Sequence, residues 1–319
     1  MNKTIIGHLA SLTTYSIFGL NIVFCKDIAN SDILSPYALF MFRAVGATLL
    51  FWLISLFMPK EHIPRKDKRK IVLASFIGLF MPQMTFLIAI TMTSSIDTSV
   101  LGSLTPIMTM FMAAYFLKEP ITWKKATGVT LSFVGVLILI FNSMYHKGGG
   151  ATQTTPLGII LLFLNCLSFA IYLGAFRPLI SKYSVVTFMK WMFLFTLIIC
   201  TPFCASDAYS FIMTATTSPA AKELADSGYQ LIWEIGYVVV FATFIAYFLV
   251  PVGQKHLRPT LVSMYSYVQP IIAVIISAYI GMDTLTWKKI IAIILVFTGV
   301  AIVNKSRAAA SKTTTDSKL

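Results

Sequence analysis

Charged residues are scarce in this chain of 319 residues, where they account for 12%, whereas hydrophobic residues account for 57%. Soluble domains carry about a quarter charged residues, so this composition excludes an ordinary soluble fold. The mean hydropathy of +0.81 points the same way. The length accommodates about ten apolar spans of roughly twenty residues with short connections. We therefore predict an all-α membrane protein with ten transmembrane helices.

Residues that carry chemistry are also few. The four histidines are scattered without metal-ligand spacing, and the four cysteines lie in or at the ends of apolar runs, at Cys25, Cys166, Cys200 and Cys204. This placement indicates neither a disulfide framework nor a zinc site. The sequence has no nucleotide-binding loop, no nucleophile elbow and no pair of acids within a span. We expect no enzymatic activity, no bound metal and no cofactor.

Apolar runs divide the chain into the predicted spans. The segment 205–229 is too polar to cross a membrane, and its piece 218–224 has the composition of a short surface helix. The predicted spans are 5–25, 34–57, 71–90, 99–117, 126–141, 156–176, 185–203, 231–250, 261–280 and 289–303.

An internal repeat organises the chain. The stretch 103–136 aligns without a gap on 267–300 at an offset of 164 positions, so that Pro106 matches Pro270 and the run Thr-Trp-Lys-Lys recurs letter for letter. Such self-similarity indicates two homologous halves. With five spans per half the second half is inverted, as in many transporters. The predicted parts are a first five-helix repeat at 1–145, a flexible linker at 146–155, an inverted second repeat at 156–304 and a tail at 305–319.

The distribution of cations predicts the orientation. Alternate loops and both termini place nineteen Lys and Arg residues on one side of the membrane and five on the other. The positive-inside rule puts the richer side in the cytoplasm, so both termini are predicted to be cytoplasmic in a multi-pass protein of the cell (inner) membrane. Topology alone accounts for the net charge of +13, and we predict no nucleic-acid partner.

Several motifs resemble those of the EamA-type branch of the drug/metabolite transporter superfamily. They are the run 18–26, Ser35-Pro36 with Arg43, Leu104-Thr105-Pro106, and the run 119–122 ahead of Gly128 and Gly135. The resemblance implies ten helices in two inverted repeats, a central cavity and export or exchange of small metabolites such as amino acids. The chain departs from the family pattern at Phe18, where tryptophan is usual, at Met282-Asp283, and in its long connection between spans seven and eight.

Arg43 is the only cation deep within a predicted span. Placing a guanidinium in a bilayer costs at least about 2.5 kcal/mol, so this side chain must pair, face water or reach the interface. One interpretation is a residue that binds substrate or gates its path. The other is a clamp between helices that binds backbone carbonyls where a helix is broken.

Polar and aromatic groups within the apolar spans are the candidate substrate contacts. Pro106 and Pro270 interrupt helices at matched positions and free carbonyls, which favours either a midplane site with gating helices or kinks that serve packing alone. Together with Arg43 they form the gating or helix-break set. The predicted substrate contacts are Asn21, Gln83, Tyr172, Tyr265, Tyr267, Gln269, Tyr15, Asn165 and Tyr247.

These features favour a secondary transporter of a small polar or amphipathic metabolite, an amino acid or a derivative of one, working by alternating access as an exporter or exchanger. The alternative is a membrane receptor or scaffold without transport. The predicted partners are the small-molecule substrate and the lipid bilayer, and the predicted assembly is a monomer or weak homodimer.

The predicted topology is testable by cysteine labelling. On a cysteine-free background, the Lys66→Cys variant should react with a membrane-impermeant maleimide only after the cells are opened, because the basic loop 60–70 is predicted to be cytoplasmic. A cysteine in the linker at 147–150 is the matched control, which should react in intact cells. Labelling of Lys66→Cys from outside would contradict the orientation.

Overall fold

The computed structural model describes residues 2–93, 98, 101–146, 155–217, 230–272 and 287–316. This part of the chain is helical and contains no strand. Its first half comprises α1 (Lys3–Asn30), α2 (Pro36–Ser55), α3 (Arg65–Ser75), the π-helix π1 (Phe76–Phe80), α4 (Met81–Thr91), α5 (Thr105–Leu117) and α6 (Trp123–His146).

The second half uses the same types of element. It comprises α7 (Pro156–Ala175), α8 (Arg177–Lys182), α9 (Val185–Thr217), α10 (Gln230–Val239), π2 (Val240–Ile245), α11 (Ala246–His256), α12 (Pro259–Met264), a 3₁₀ turn (Tyr265–Tyr267) and α13 (Trp287–Asp316).

Local sequence signals explain where helices begin. The hydroxyl of Ser35 accepts a hydrogen bond from the amide of Ala38 at 3.1 Å, and Pro36 follows at the first helical position of α2. The start of α7 repeats this arrangement with Thr155 and Pro156. A hydroxyl acceptor followed by proline suits a helix start, because proline lacks the N–H that would otherwise need a partner.

Six helical segments of the described chain are long and apolar enough to cross a membrane. They are α1, α2, α7, α9 and two continuous rods, one formed by α3, π1 and α4 and the other by α10, π2 and α11. Thr105–Leu117 and Ile290–Val303 are shorter apolar helices. The prediction of an all-α membrane protein is confirmed, and the count of ten transmembrane helices stays a prediction.

The predicted end of the seventh span at 203 is wrong. Helix α9 continues to Thr217 through Pro202, whereas the sequence assigned the polar residues from 205 onward to a connection. Burial of one face explains the difference, because Cys200, Cys204 and Ala208 recur every four residues and pack in one core cluster. The proposed surface helix at 218–224 lies outside the described residues.

Parts of two segments predicted to lie outside the spans are helical. The basic loop 60–70 becomes helical at Arg65, and the predicted tail continues α13 as far as Asp316. Of the linker at 146–155, residues 147–154 lie outside the described part.

The two π-helices occupy equivalent positions of the repeat. Phe76 begins π1 and Val240 begins π2, and these residues are separated by the same 164 positions as the two prolines. A π-helix accommodates an extra residue within an α-helix and is frequent at functional sites. Both halves therefore contain the same irregularity in the same rod.

Helices α6 and α13 pack against each other in opposite directions. A Cβ added to Gly128 would lie 2.7 Å from the carbonyl oxygen of Gly299, and one added to Gly135 would lie 2.8 Å from that of Ala292. Ser132 donates a hydrogen bond to the carbonyl of Val296 at 3.0 Å. Ser132 and Val296 are themselves equivalent in the repeat, so the axis relating these two helices passes close to this bond.

Several of the remaining helices pack against helices of the other half. Helix α1 packs against α11 in the second half, and its counterpart α7 packs against α4 in the first half. Helices α2 and α9 also pack against each other. Each half therefore covers apolar faces of the other, and the central space lies between them.

The close approach of α6 and α13 predicts a stability difference between two glycine variants. Gly135→Ala should lower the free energy of unfolding by about 1–3 kcal/mol, because the added methyl group meets a backbone carbonyl that cannot move aside. Gly236→Ala is the control. Its Cβ meets nothing within 4 Å, and alanine favours a helix by up to about 1 kcal/mol. Melting curves of the purified variants in detergent test this, and equal shifts would contradict the packing.

Candidate functional site

A cavity of about 110 Å³ lies between the two halves. Its walls come from α1, α2, α4, α7 and α11, from the residues that precede and begin α5, and from the residues that follow α12. The lining includes seven of the residues singled out from the sequence, namely Tyr15, Asn21, Arg43, Gln83, Asn165, Tyr247 and Gln269.

Three other predicted contacts lie outside this lining. Tyr172 is fully buried, with its ring filling the space beside Gly78 of π1. The hydroxyl of Tyr265 lies 2.7 Å from Nδ1 of His8, and that of Tyr267 donates to a carbonyl of α6 at 3.4 Å. These three tyrosines connect helices to one another around the cavity.

The two repeat prolines are buried beside the cavity and are not part of its lining. Pro106 lies in the first turn of α5, directly after a turn at Ser103 and Leu104. Pro270 follows the 3₁₀ turn at Tyr265–Tyr267. In each half, therefore, the helix is interrupted just before the repeat proline. Thr105 and Ser266, which lie at these interruptions, line the cavity.

Several polar atoms of the lining are buried and have no hydrogen-bond partner among the described residues. They are the hydroxyl oxygens of Tyr15 and Ser266, Nη1 of Arg43, and both amide atoms of Gln83. Leaving a buried polar group unpaired costs about 1–3 kcal/mol, so unpaired groups that converge on one cavity indicate a place for a polar ligand or water.

Other lining groups are held in place by the protein. Asn165 donates from Nδ2 to the carbonyl of Pro82 at 2.6 Å, which joins α7 to α4 immediately after π1. The amide oxygen of Asn21 accepts a weak hydrogen bond from the thiol of Cys25 at 3.5 Å. Arg43 donates from Nε to the hydroxyl of Thr243 in π2 at 2.9 Å. These bonds fix the orientation of three side chains that line the cavity.

An aromatic wall borders the polar groups. The ring of Phe18 meets those of Tyr15 and Tyr247 edge to face, with centroids 5.8 Å and 5.5 Å apart. Aromatic faces suit both apolar groups and cations. Phe18 stands where the family resemblance implies tryptophan, so the departure noted in the sequence lies in the cavity wall.

Sequence reasoning did not select several other lining residues. Ser266 lies beside the predicted Tyr265 and Tyr267, and Phe86, Leu162 and Phe169 are apolar residues in apolar helices. No signal in one sequence distinguishes such apolar residues from ordinary core residues. Ser266 and Gly102 occupy equivalent positions of the repeat, and both line the cavity.

The end of the bundle at which α1 begins is closed by charged groups. Glu119 forms ion pairs with Lys125 at 2.9 Å and with Arg177 at 3.8 Å. Arg177 also donates to the carbonyls of Gln254 at 3.2 Å and Leu257 at 3.0 Å. These contacts connect the α5–α6 turn of the first half to α8 and the end of α11 in the second half.

A second cluster joins the halves at the same end. Asp67 at the start of α3 pairs with Lys182 and accepts a hydrogen bond from the hydroxyl of Tyr183. Lys255 donates to the backbone carbonyl of Tyr183. The hydrogen bond from Lys182 to the carboxylate raises the pKa of this lysine above its ordinary value, so the pair is charged throughout the physiological pH range.

Three polar lining residues lie in the part of the bundle away from this closed end. Asn21 lies in the C-terminal half of α1, Gln83 in the C-terminal part of its rod, and Arg43 in the N-terminal half of α2. All three positions lie between the middle of the bundle and the end opposite Lys3. Tyr247 and Phe169 lie on the closed-end side of the middle of their helical rods, so the cavity is central.

Curated proteins similar to this chain are named as transporters. An uncharacterized transporter of Archaeoglobus fulgidus is 24% identical over 86% of this chain and 90% of its own length, and the uncharacterized transporter YetK of Bacillus subtilis is 25% identical over 82% and 75%. An S-adenosylmethionine/S-adenosylhomocysteine transporter of Chlamydia muridarum is 26% identical over 46% of each chain.

The fold has a solved counterpart. One crystal structure superimposes on 94% of this chain and 95% of its own with a TM-score of 0.67 at 14% identity, a likeness that shows the fold alone. The model of the EamA-like transporter family matches residues 5–141 and again residues 156–305, which together make up most of the chain. This chain belongs to the EamA-like transporter family.

Proposed function

We propose that this chain is a secondary transporter of a small polar or amphipathic metabolite, an amino acid or a derivative of one, and that it exports or exchanges this solute by alternating access. The observation that carries the proposal is the central cavity, in which unpaired polar atoms face an aromatic wall. Small-molecule sites combine apolar walls with a few placed polar groups in this way.

The chemistry of the lining favours this substrate class. Gln83, Ser266 and Tyr15 offer hydrogen-bond donors and acceptors, while Phe18 and Tyr247 offer apolar surface. The similar transporter of Chlamydia muridarum is named for S-adenosylmethionine, which is an amino-acid derivative. That likeness supports an amino acid or derivative as the solute of this chain.

The proposed transport cycle uses two inverted repeats, residues 1–145 and 156–304. The antiparallel contact of α6 with α13 and the matched π-helices support an inverted relation. Rocking of one half against the other would open the closed end and close the opposite one. With both termini cytoplasmic, as the cation count favours, the ion-paired end faces the cytoplasm of a cell whose inner membrane holds the protein.

The cavity is formed within one chain, which supports a working unit that is a monomer or weak homodimer.

A membrane receptor or scaffold without transport is the alternative function, and a counterflow experiment distinguishes it from a transporter. Purified protein in liposomes preloaded with an unlabelled amino acid or S-adenosylmethionine should take up the same labelled compound. Absence of saturable exchange for the whole panel would contradict transport of this class.

The cavity residues predict a selective loss of affinity. Asn21→Ala and Gln269→Ala should each weaken apparent affinity in counterflow by about two- to tenfold, because one hydrogen bond to the solute is worth roughly 0.5–1.5 kcal/mol. Gln230→Ala is the matched control, since Gln230 lies outside the cavity lining and bonds to Glu234 at 2.9 Å. If both cavity variants exchange solute with the affinity of the parent, the site is misplaced.

The ion-paired end predicts a shift in access. Arg177→Gln removes the cross-half ion pair to Glu119, together with bonds to two carbonyls of its own half, so the population open at the α1 end should rise. A Ser266→Cys reporter on a cysteine-free background should then react faster with a reagent added at that face. The control is Asp207→Asn, which removes a carboxylate bonded to Ser35 at 2.7 Å at the opposite end.

The Asp207→Asn control should leave labelling from the α1 face unchanged or slow it. Faster labelling in both variants would report general loosening of the fold. An Arg177→Gln variant that labels like the parent would contradict the role of this end as a gate.

A further inference from the structure

Arg43 is buried in the middle of the molecule and is only partly engaged by it. The residue is 2% exposed and lines the cavity from α2. Its Nε donates to the hydroxyl of Thr243 at 2.9 Å, and that hydroxyl donates in turn to the carbonyl of Val238 at 2.7 Å. One edge of the guanidinium is thereby fixed against π2, which sets the direction of the rest of the group.

One nitrogen of the guanidinium lacks an acceptor. Nη1 of Arg43 is buried and has no hydrogen-bond partner among the described residues. Arginine is always charged in proteins, so burial leaves this cation without the option of losing its proton. An uncompensated buried charge is costly, and it is stabilised by an anion that accepts from its N–H groups.

The described residues supply no such anion at the cavity. No aspartate or glutamate is among the described lining residues, and the ion pairs of the described chain lie at the far, closed end. Glu234, a buried carboxylate of α10, lies outside the lining and accepts from Gln230. The excess charge of the cavity wall is therefore positive.

We propose that Arg43 binds a carboxylate of the transported solute, so that the solute carries an anionic group that is desolvated in the cavity. This inference rests on the proposed transport function and specifies the class of its solute. The planar guanidinium presents parallel N–H donors to a carboxylate, which is the pairing that arginine makes best.

The rest of the lining suits the cationic end of a zwitterion. The unpaired amide oxygen of Gln83 and the hydroxyl of Ser266 are acceptors, and the rings of Tyr15, Phe18 and Tyr247 offer aromatic faces. An ammonium group is recognised by such oxygens and faces without a protein carboxylate. The structure thus assigns the anionic end to Arg43 and the cationic end to neutral groups.

The test compares acids with their amides on the unmodified protein. Methionine, phenylalanine and S-adenosylmethionine are each paired with the carboxamide analogue, which keeps the ammonium and side chain but removes the negative charge. Each acid should compete in counterflow, and each amide should compete about ten- to hundredfold less well, because hydrogen bonds to charged groups are the stronger ones. This comparison needs no variant to fold.

Variants then assign the preference to Arg43. Arg43→Gln should remove the preference for acid over amide, and Arg43→Lys should retain part of it, because lysine keeps the charge without the fork. Lys190→Gln is the matched control, because this cation of α9 lies 5.2 Å from the ring of Trp52 and outside the cavity lining. Size-exclusion profiles of all variants establish that they are folded.

The test also includes the variant Asp97→Asn, because Asp97 precedes the lining residue Thr98 and lies outside the described residues. Asp97→Asn should keep the acid preference. If adding Asp97→Asn restores the thermal stability that Arg43→Gln loses, then Arg43 is one half of an internal ion pair and the inference is overturned.

The outcomes separate this inference from the transport function. Saturable exchange of an amide as efficient as that of its acid would overturn the carboxylate site and leave transport standing. Retention of the acid preference in folded Arg43→Gln would do the same. Failure of every acid and every amide to exchange or to stabilise the protein would overturn both proposals.

Discussion

The interior of a bilayer supplies no hydrogen-bond partners, so every departure from the α-helix must be satisfied within the protein. The described chain departs from it at π1, at π2, at the turn before Pro106 and at the 3₁₀ turn Tyr265–Tyr267. Side chains meet this need at two of them: the hydroxyl of Thr243 binds a carbonyl of α10 across π2, and Asn165 binds the carbonyl of Pro82 just after π1. The cavity lining includes residues next to each of these irregular segments or within them, among them Pro82, Thr105, Tyr247 and Ser266.

Duplication explains why the irregular segments come in pairs. A π-helix that begins at Phe76 has its counterpart at Val240, and the turn before Pro106 corresponds to the turn before Pro270. When two equivalent helices pack in opposite directions, as α6 and α13 do, equivalent residues meet only where the axis that relates the helices passes. The bond from Ser132 to Val296, its own equivalent, fits this geometry for the last helix of each half. A single set of sequence features thus builds two walls of one site.

Much of this architecture follows from the sequence because composition and repetition are global signals. Apolar runs in the sequence predict the helical segments. The repeat offset of 164 positions equals the spacing between the starts of the two π-helices. The π-helices themselves were not predicted, since one inserted residue leaves no mark in an apolar rod. Helix α9 extends past its predicted end because the burial of Cys204 and Ala208 outweighs the polarity of their neighbours. Polar cavity residues such as Asn21 and Gln83 stand out in apolar spans, whereas Phe169 cannot be told from a core residue.

Two kinds of ion pair hold the closed end: one lies within the first half, and the others cross between the halves. Only the second kind opposes separation of the halves at this end. Lys125 and Glu119 are buried, with side chains 4% and 9% exposed, but both belong to the first half and stay together when the halves move. The pairs that cross between the halves involve Arg177, 28% exposed, and Lys182, 56% exposed. Their acidic partners Glu119 and Asp67 are 9% and 10% exposed, so each pair is open to solvent only on the side of its cation. Pairs open to solvent contribute about 1 kcal/mol or less each.

Ion pairs of that strength suit a reversible gate. A two-state equilibrium is shifted only by the difference in a ligand's affinity for the two states, which is a few kcal/mol for a small solute. Strong buried pairs between the halves would exceed that difference and hold the bundle in one state. The two ion pairs that cross between the halves at this end each have a partly or fully exposed cation. Arg43, the proposed carboxylate site, bonds to Thr243 of π2, in the rod whose end carries Gln254, a carbonyl partner of Arg177. The proposed solute contact and one contact of the closed end therefore lie on the same rod.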